Sequence, residues 1–194
     1  MLLKNKPISQ YDGFTLAELM TVLGILAILG IATGYSFIKL LPAYRLKSAA
    51  IDIFSSFQAA RMKAIKNGCR YAVVFDTENS SYQTIGAGED GIFSGATDSG
   101  DDMYERIVRL SDYGTGIEFG HGSASRNATV SAGNSFPSDG ISYVANSSEF
   151  NSRGMANKMG YVYLANHIGD AYAISTPTMA GVVTMKRWNG GEWR

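Results

Sequence analysis

Apolar residues fall along this chain in three successive patterns. Leu19 to Ile38 carries no charged residue, and about 20 residues at a rise of about 1.5 Å match the ~30 Å hydrocarbon core of a bilayer. The first pattern therefore predicts a membrane-spanning helix over residues 14–41. Beyond Leu41 the apolar positions thin to Leu46, Ala50, Ile53, Phe54, Phe57, Ala60 and Ala64, with Arg45, Lys47, Asp52, Gln58 and Lys63 between them. That spacing gives one apolar stripe on a helix that has left the membrane, residues 42–67. Pro42 stands where the two regimes meet and is expected to kink or loosen the helix, because it lacks a backbone donor. Lys63 and Lys66 fall in the last turn and Asn67-Gly68 suits a left-handed stop, so one helix from Phe14 to Asn67 is expected.

From Arg70 the period shortens to two and glycines multiply, the third pattern. Arg70 to Phe75 and Ser81 to Ile85 predict a hairpin around the turn formers Asp76 to Ser80. Further strands are predicted at Arg106 to Leu110, Gly116 to Phe119, Ile141 to Val144, Glu149 to Phe150, Tyr161 to Ala165, Ala171 to Ser175 and Val182 to Trp188. Gly86 to Asp102 and Gly120 to Gly140 are rich in Gly, Ser, Asp and Asn and are expected to be loops. The fold class is thus α+β. A long N-terminal helix, its first half in the membrane, packs on a mostly antiparallel β domain over residues 68–194.

Glu18 changes this picture most. It is one carboxylate at the start of the apolar run, where burial in lipid costs a few kcal/mol or more, so it needs a partner. A cut between Gly13 and Phe14 would give Phe14 a positive α-amine one helical turn away, and the helix N-terminus favours a carboxylate there as well. Residues 1–13 are short and polar, and Lys4 and Lys6 keep that end on the cytoplasmic side. A secretory signal would place its cleavage site after the apolar run; here the cut precedes it, so the anchor survives. An uncut signal anchor whose Glu18 snorkels to the interface is the plainer alternative.

Gly13-Phe14-Thr15-Leu16-Ala17-Glu18-Leu19, read into a clean apolar span, resembles the start of type IV pilins and type II secretion pseudopilins. The resemblance implies a leader, residues 1–13, removed by a prepilin peptidase after Gly13, with methylation of the new Phe14 amine. It also implies that Glu18 pairs with a neighbouring subunit's amine during assembly. Asp12, beside the cut, departs from the mostly basic leaders of that family. Farther on, Phe150-Asn151-Ser152-Arg153-Gly154-Met155-Ala156, then Gly160 to Leu164, Ala173 to Ser175 and Gly181 with a closing strand, is similar to the GspH and FimT branch. The expectation is a structural subunit in the bacterial inner membrane, with a single pass and a periplasmic C-terminal domain. Its partners would be the peptidase, membrane lipid and other pilins or pseudopilins through the N-terminal helix.

Charge and chemistry then narrow the function. Without residues 1–13 the chain holds 15 basic and 16 acidic residues, a balance that predicts no nucleic-acid partner. FimT-like proteins resemble this chain yet carry basic residues on the closing strand, where this chain has Val182-Val183-Thr184. Lys186, Arg187 and Arg194, near Trp188 and Trp193, are what remains of a possible DNA contact, the composition that suits single strands. The plainer reading is a solvated edge, and duplex DNA is not expected among the partners. Cys69 is the only cysteine, so no intrachain disulfide forms, and a small buried hydrophobe is expected there. His121 and His167 lie in separate loops with no Cys or carboxylate at ligand spacing. Asp98, Asp101 and Asp102, with Glu89, Asp90 and Glu105 nearby, lack the order of an EF-hand. The sequence calls for no metal, no cofactor and no catalytic residue.

Overall fold

The structure is a computed structural model that describes residues 13–88, 91, 93, 102–105, 107–128 and 135–194, with the backbone alone over 32–39. The chain divides into two compact units, Met1–Leu40 and Leu41–Arg194. Helix α1, Leu16–Asn67, belongs to both and has Pro42 inside it. It begins at Leu16 and not at Phe14, because Thr15 takes the N-cap position and its carbonyl accepts the first helical bond, from Leu19 N at 3.1 Å. It ends as expected: Lys66 lies in the last turn and Gly68, at φ +67°, takes the left-handed stop.

In the second unit α1 buries Leu46, Ala49, Ala50, Ile53, Phe57, Ala60 and Ala64, steps of three and four that keep one stripe facing inward. Against that stripe stand two antiparallel sheets. The first holds β1 (Tyr71–Asp76), β2 (Ser81–Gly86), β3 (Met103–Tyr104), β4 (Val108–Arg109) and β6 (Ser147–Phe150), in the order β3-β2-β1-β6, with β4 also on β2. The second is β5-β7-β8-β9, made of Ile117–Phe119, Gly160–Asn166, Ala171–Thr176 and Thr184–Arg187. The β1–β2 hairpin pairs Tyr71 with Gly86 and Asp76 with Ser81 around the predicted turn. The Asp76 carboxyl is lowered from its ordinary value because the Asn79 side chain and backbone donate to it.

Three strand predictions shift and one short strand was not predicted. Of Arg106 to Leu110, Arg106 lies outside the described residues, and the rest supplies β4 and then the start of a 3-10 turn, Leu110–Tyr113. Ile141 to Val144 gives a single bridge, Ile141 to Val162, before Ala145 and Asn146 turn the chain at φ 55° and 46°. Ile141 and Tyr143 are both buried in alternation, which imitates a strand, but their side chains fill the core beside the turn. The closing strand contracts to Thr184–Arg187, since Gly181 at φ +71° bends the segment before it. Met103–Tyr104, for which no element was predicted, pairs with Ile85 and Gly86.

Phe57 is the centre of the core. It is 0 % exposed and its ring meets those of Phe75, Tyr143 and Phe150 at 6.0, 6.0 and 6.3 Å. The far face of the second sheet has a smaller core of its own. Tyr163 and Ala173 pack with Ala128, and Ala171 with Ala124 and Trp188, while Phe136 and Trp193 close over them. Tyr163 donates to Asn127 Oδ1 at 2.5 Å and accepts from Ala128 N at 3.1 Å. Among the described residues of 120–140 no helix or strand forms, as expected, yet this loop covers β8, every residue of which is buried. At the edge of β9, Arg187 N donates to Arg194 O at 2.6 Å and Arg194 N returns a bond to Arg187 O at 3.0 Å.

Candidate functional site

Gly13, Phe14 and Thr15 are non-helical and exposed, with Phe14 86 % accessible. No described atom lies within 4 Å of a Cβ built on Gly13. A larger residue there fits this chain, so a glycine requirement would belong to an enzyme that reads the site. Thr15 Oγ1 accepts from Glu18 N at 3.2 Å, while Thr15 N and Oγ1 both donate to Glu18 Oε2 at 3.4 Å. This is a reciprocal capping box, which gives Glu18 a local partner within its own chain. Its signal, Thr-x-x-Glu before an apolar run, is carried by the sequence itself. Bonds of 3.4 Å are long, so the carboxylate is held only weakly and keeps capacity to accept a stronger donor.

The apolar side chains that follow are laid bare. Leu16, Leu19, Met20, Val22, Leu23, Ile25, Leu26, Ile28, Leu29 and Ile31 are each between 52 % and 78 % exposed. They occupy every side of the helix, unlike the stripe of the second unit. Among the described residues no helix is long and apolar enough to cross a membrane. The predicted span continues in sequence through residues 32–39, whose side chains lie outside the described residues.

The Phe150 to Ala156 motif closes a structural junction. Asn151 Oδ1 accepts from Arg153 N at 2.9 Å and Met155 N at 3.1 Å, which shapes a tight turn around Gly154 at φ +75°. Gly154 O receives Arg61 Nε from α1 at 2.9 Å. A Cβ on Gly154 would stand 2.5 Å from Ile65 Cδ1, and one on Gly181 would stand 2.1 Å from Gly154 O. Gly181 is therefore required by close approach to backbone as well as by positive φ, whereas at Gly154 the positive φ is the requirement, since the Ile65 side chain can move aside. Phe150, at the start of the motif, is fully buried in the main core.

At the C-terminal edge, Lys186 is half-buried and Arg187 is exposed on β9. Arg187 Nη2 lies 3.5 Å from Asp170 Oδ1, and Arg194 Nε donates to Glu192 Oε1 at 2.7 Å. Both arginines border an open cleft of about 540 Å³ with Ser123, Ile168 and Asp170. Each already faces a carboxylate, which weakens any pull on a phosphate. The tryptophans correct the sequence reading more firmly. Trp188 is 5 % exposed, and Trp193 packs on Trp188 and Tyr163 while its Nε1 donates to Arg126 O at 2.6 Å. They belong to the small core and offer no free platform for a base.

The remaining candidates are not brought together. The His121 ring stacks on Phe136 at 3.9 Å with Nδ1 3.2 Å from Ala124 O. His167 packs beside Gly116 instead. Among the described residues no cluster of three His, Cys, Asp or Glu could hold a metal ion. Asp98 and Asp101 lie outside the described residues, and Asp102 borders a second cleft. That cleft, about 470 Å³, is floored by Ala72, Val74 and Ile85. Lys158 sits at its rim, 2.7 Å from Glu149 Oε1, and donates to Ser147 Oγ at 2.6 Å. Cys69 is half-buried and packed against the main core.

The fold is α+β, a long helix on antiparallel sheets. The chain is structurally similar to the minor pseudopilin EpsH from the type II secretion system of Vibrio cholerae. One structure of that protein gives a TM-score of 0.46 at 12% identity over 73% of this chain and 95% of that chain. A crystal structure of EpsH gives 0.45 at 13% identity over 73% of this chain and 92% of that one. These are likenesses of fold. No family model and no curated protein matches the chain.

Proposed function

We propose that the chain is a minor pilin-like or pseudopilin-like structural subunit. A prepilin peptidase removes residues 1–13, Phe14 becomes the methylated N-terminus, and the first half of α1 holds the subunit in the inner membrane. The same helix then packs among those of other subunits in a pseudopilus or type IV pilus, with the β domain on the periplasmic side. The observation that carries this reading is residues 16–31 of α1, whose large apolar side chains are exposed on all sides directly after Gly13-Phe14, with Glu18 the one charge among them. A surface of that kind is stable in lipid or among other helices, not in water.

Co-expression of the full chain with a prepilin peptidase tests it. Mass spectrometry is expected to find a chain shortened by residues 1–13 and starting at methylated Phe14. A mature end at any other residue, or no processing beside an active peptidase, would sink the reading. Gly13→Trp is expected to leave the uncut precursor in the membrane. DNA uptake is the weaker alternative, since Arg187 and Arg194 face carboxylates and Trp188 is buried. Titration of the full chain with labelled duplex DNA near physiological salt is expected to give no binding tighter than about 10⁻⁴ M.

A further inference from the structure

The junction at the end of α1 does more than close the domain. Around Arg61, Gly154 and Gly181 stand Met62, Ile65, Met155, Met179 and Val182, each between 43 % and 69 % exposed. They form one surface. Ile65 packs over Gly154, Gly181 abuts Gly154 O, and Ala156 N bonds Met179 O at 3.0 Å. Met62 lies three residues before Ile65 on the same helical flank. Three of the five are methionines, whose unbranched, polarisable side chains adapt to an apolar partner.

The charges beside this surface have one sign. Among the described residues Arg61, Lys66 and Arg153 flank it by sequence neighbourhood, and none of the described ion pairs uses Lys66 or Arg153. Arg61 spends Nε on Gly154 O and keeps the rest of its fork. An apolar centre with a cationic rim complements an apolar segment flanked by carboxylates. Lipid headgroups would also suit the charge, and the test below separates them from protein. On the membrane-anchored subunit reading above, on which this step rests, the second unit works among other subunits, and a protein segment is the occupant this surface fits.

We infer that the Met62, Ile65, Met155, Met179 and Val182 surface is a docking site for an acidic amphipathic segment of another protein subunit. The test uses the full chain in zwitterionic lipid nanodiscs with its methionine methyls labelled for NMR. The probe is a synthetic amphipathic peptide with leucines at helical spacing and glutamates beside them, and its control replaces the glutamates by lysines. The glutamate peptide is expected to shift the Met155 and Met179 signals saturably, and the lysine peptide to leave them still. Lys66→Glu with Arg153→Glu is expected to weaken the response at least tenfold while the core signals keep their positions. Met179→Gln, which spares the charges, is expected to weaken it severalfold.

Several results would overturn the inference. They are no response to the glutamate peptide, an equal response to both peptides, and shifts that appear without peptide as protein concentration rises. The same signals moving when phosphatidylglycerol enters the disc would assign the surface to lipid instead. Incorporation into the disc and cleavage at Gly13 are measured separately, so a failure of the membrane reading is distinguishable from a failure of the docking site.

Discussion

The two halves of α1 are both rich in apolar residues, and they meet opposite fates. Leu23, Ile25, Leu26 and Ile28 in the first unit are exposed, while Leu46, Ile53, Phe57 and Ala60 in the second are fully buried. Composition does not separate them; arrangement does. In the second half polar residues interrupt the run, so one stripe faces two sheets and the other side meets water. In the first half no side is polar, so no single packed surface could cover it. The lesson is that the period of the apolar positions, more than their number, decides whether a helix is completed by its own domain or by its surroundings.

The sharpest way to break this comparison is to make the same kind of truncation on each side. Phe57→Ala removes a ring that touches three others and is expected to destabilise the β domain by about 3–5 kcal/mol. Leu26→Ala is expected to leave domain stability unchanged within about 0.5 kcal/mol while reducing retention in membranes. Denaturant unfolding of both variants, followed by tyrosine and tryptophan fluorescence, measures the difference; equal losses would mean that the first half also packs on the domain. Gly181→Ala comes next, at about 2–3 kcal/mol, because the added Cβ meets the Gly154 carbonyl and the backbone is left-handed.

Alkaline titration probes the second half alone. A tyrosine in the unfolded chain releases its proton near pH 10, whereas burial pushes the hydroxyl of Tyr143 up to about 12. Between those values the native state binds more protons than the unfolded one, so stability that is intact below pH 10 falls as pH rises. Tyr163, also raised to about 12 by burial, acts in the same direction. The loss for Tyr143 is on the order of 2 kcal/mol by pH 12, and Tyr143→Phe is expected to flatten the curve there. Because Tyr143 OH also bonds Thr176 Oγ1 and Thr176 N, both at 2.9 Å, that variant starts from a lower stability near pH 7.

The smallest effect on stability concerns the start of the helix. Thr15→Val opens the capping box and is expected to cost about 1 kcal/mol of local helix stability, while it keeps the Glu18 carboxylate. Glu18→Leu removes both the cap and the charge. If Glu18 acts on a neighbouring subunit, cross-linking into assembled complexes is expected to fail for Glu18→Leu and persist for Thr15→Val. Equal failure of the two would reduce Glu18 to a local cap.

Much of this architecture was legible because it obeys one period at a time. The stripe from Leu46 to Ala64 and the β1–β2 hairpin follow local rules of spacing and turn chemistry, so the residues themselves carry the answer. What escaped depends on contacts far apart in sequence. Ile141 to Val144 alternates like a strand, yet Ala145 turns the chain, and only the ring of Tyr143 beside Phe57 and Phe75 explains its burial. Trp188 and Trp193 read as solvent-facing aromatics beside cations, whereas loop residues Ala124, Ala128 and Phe136 cover the sheet and draw them inward. In the candidate site, Gly13, Phe14 and Glu18 stood out by motif. Thr15 did not, because the same Glu18 carboxylate that carries the charge in the motif also serves as the reciprocal half of a capping box.

The paired bonds between Arg187 and Arg194 have a bearing on crowding. An open strand margin is a template onto which a neighbouring molecule can add its own strand, and growth of that kind has no natural limit. Here the outer margin of β9 is already engaged beside Trp188 and Trp193 by a turn of the same chain. At Arg187, therefore, chains held side by side at high local density would meet through side chains and not by adding a strand to β9.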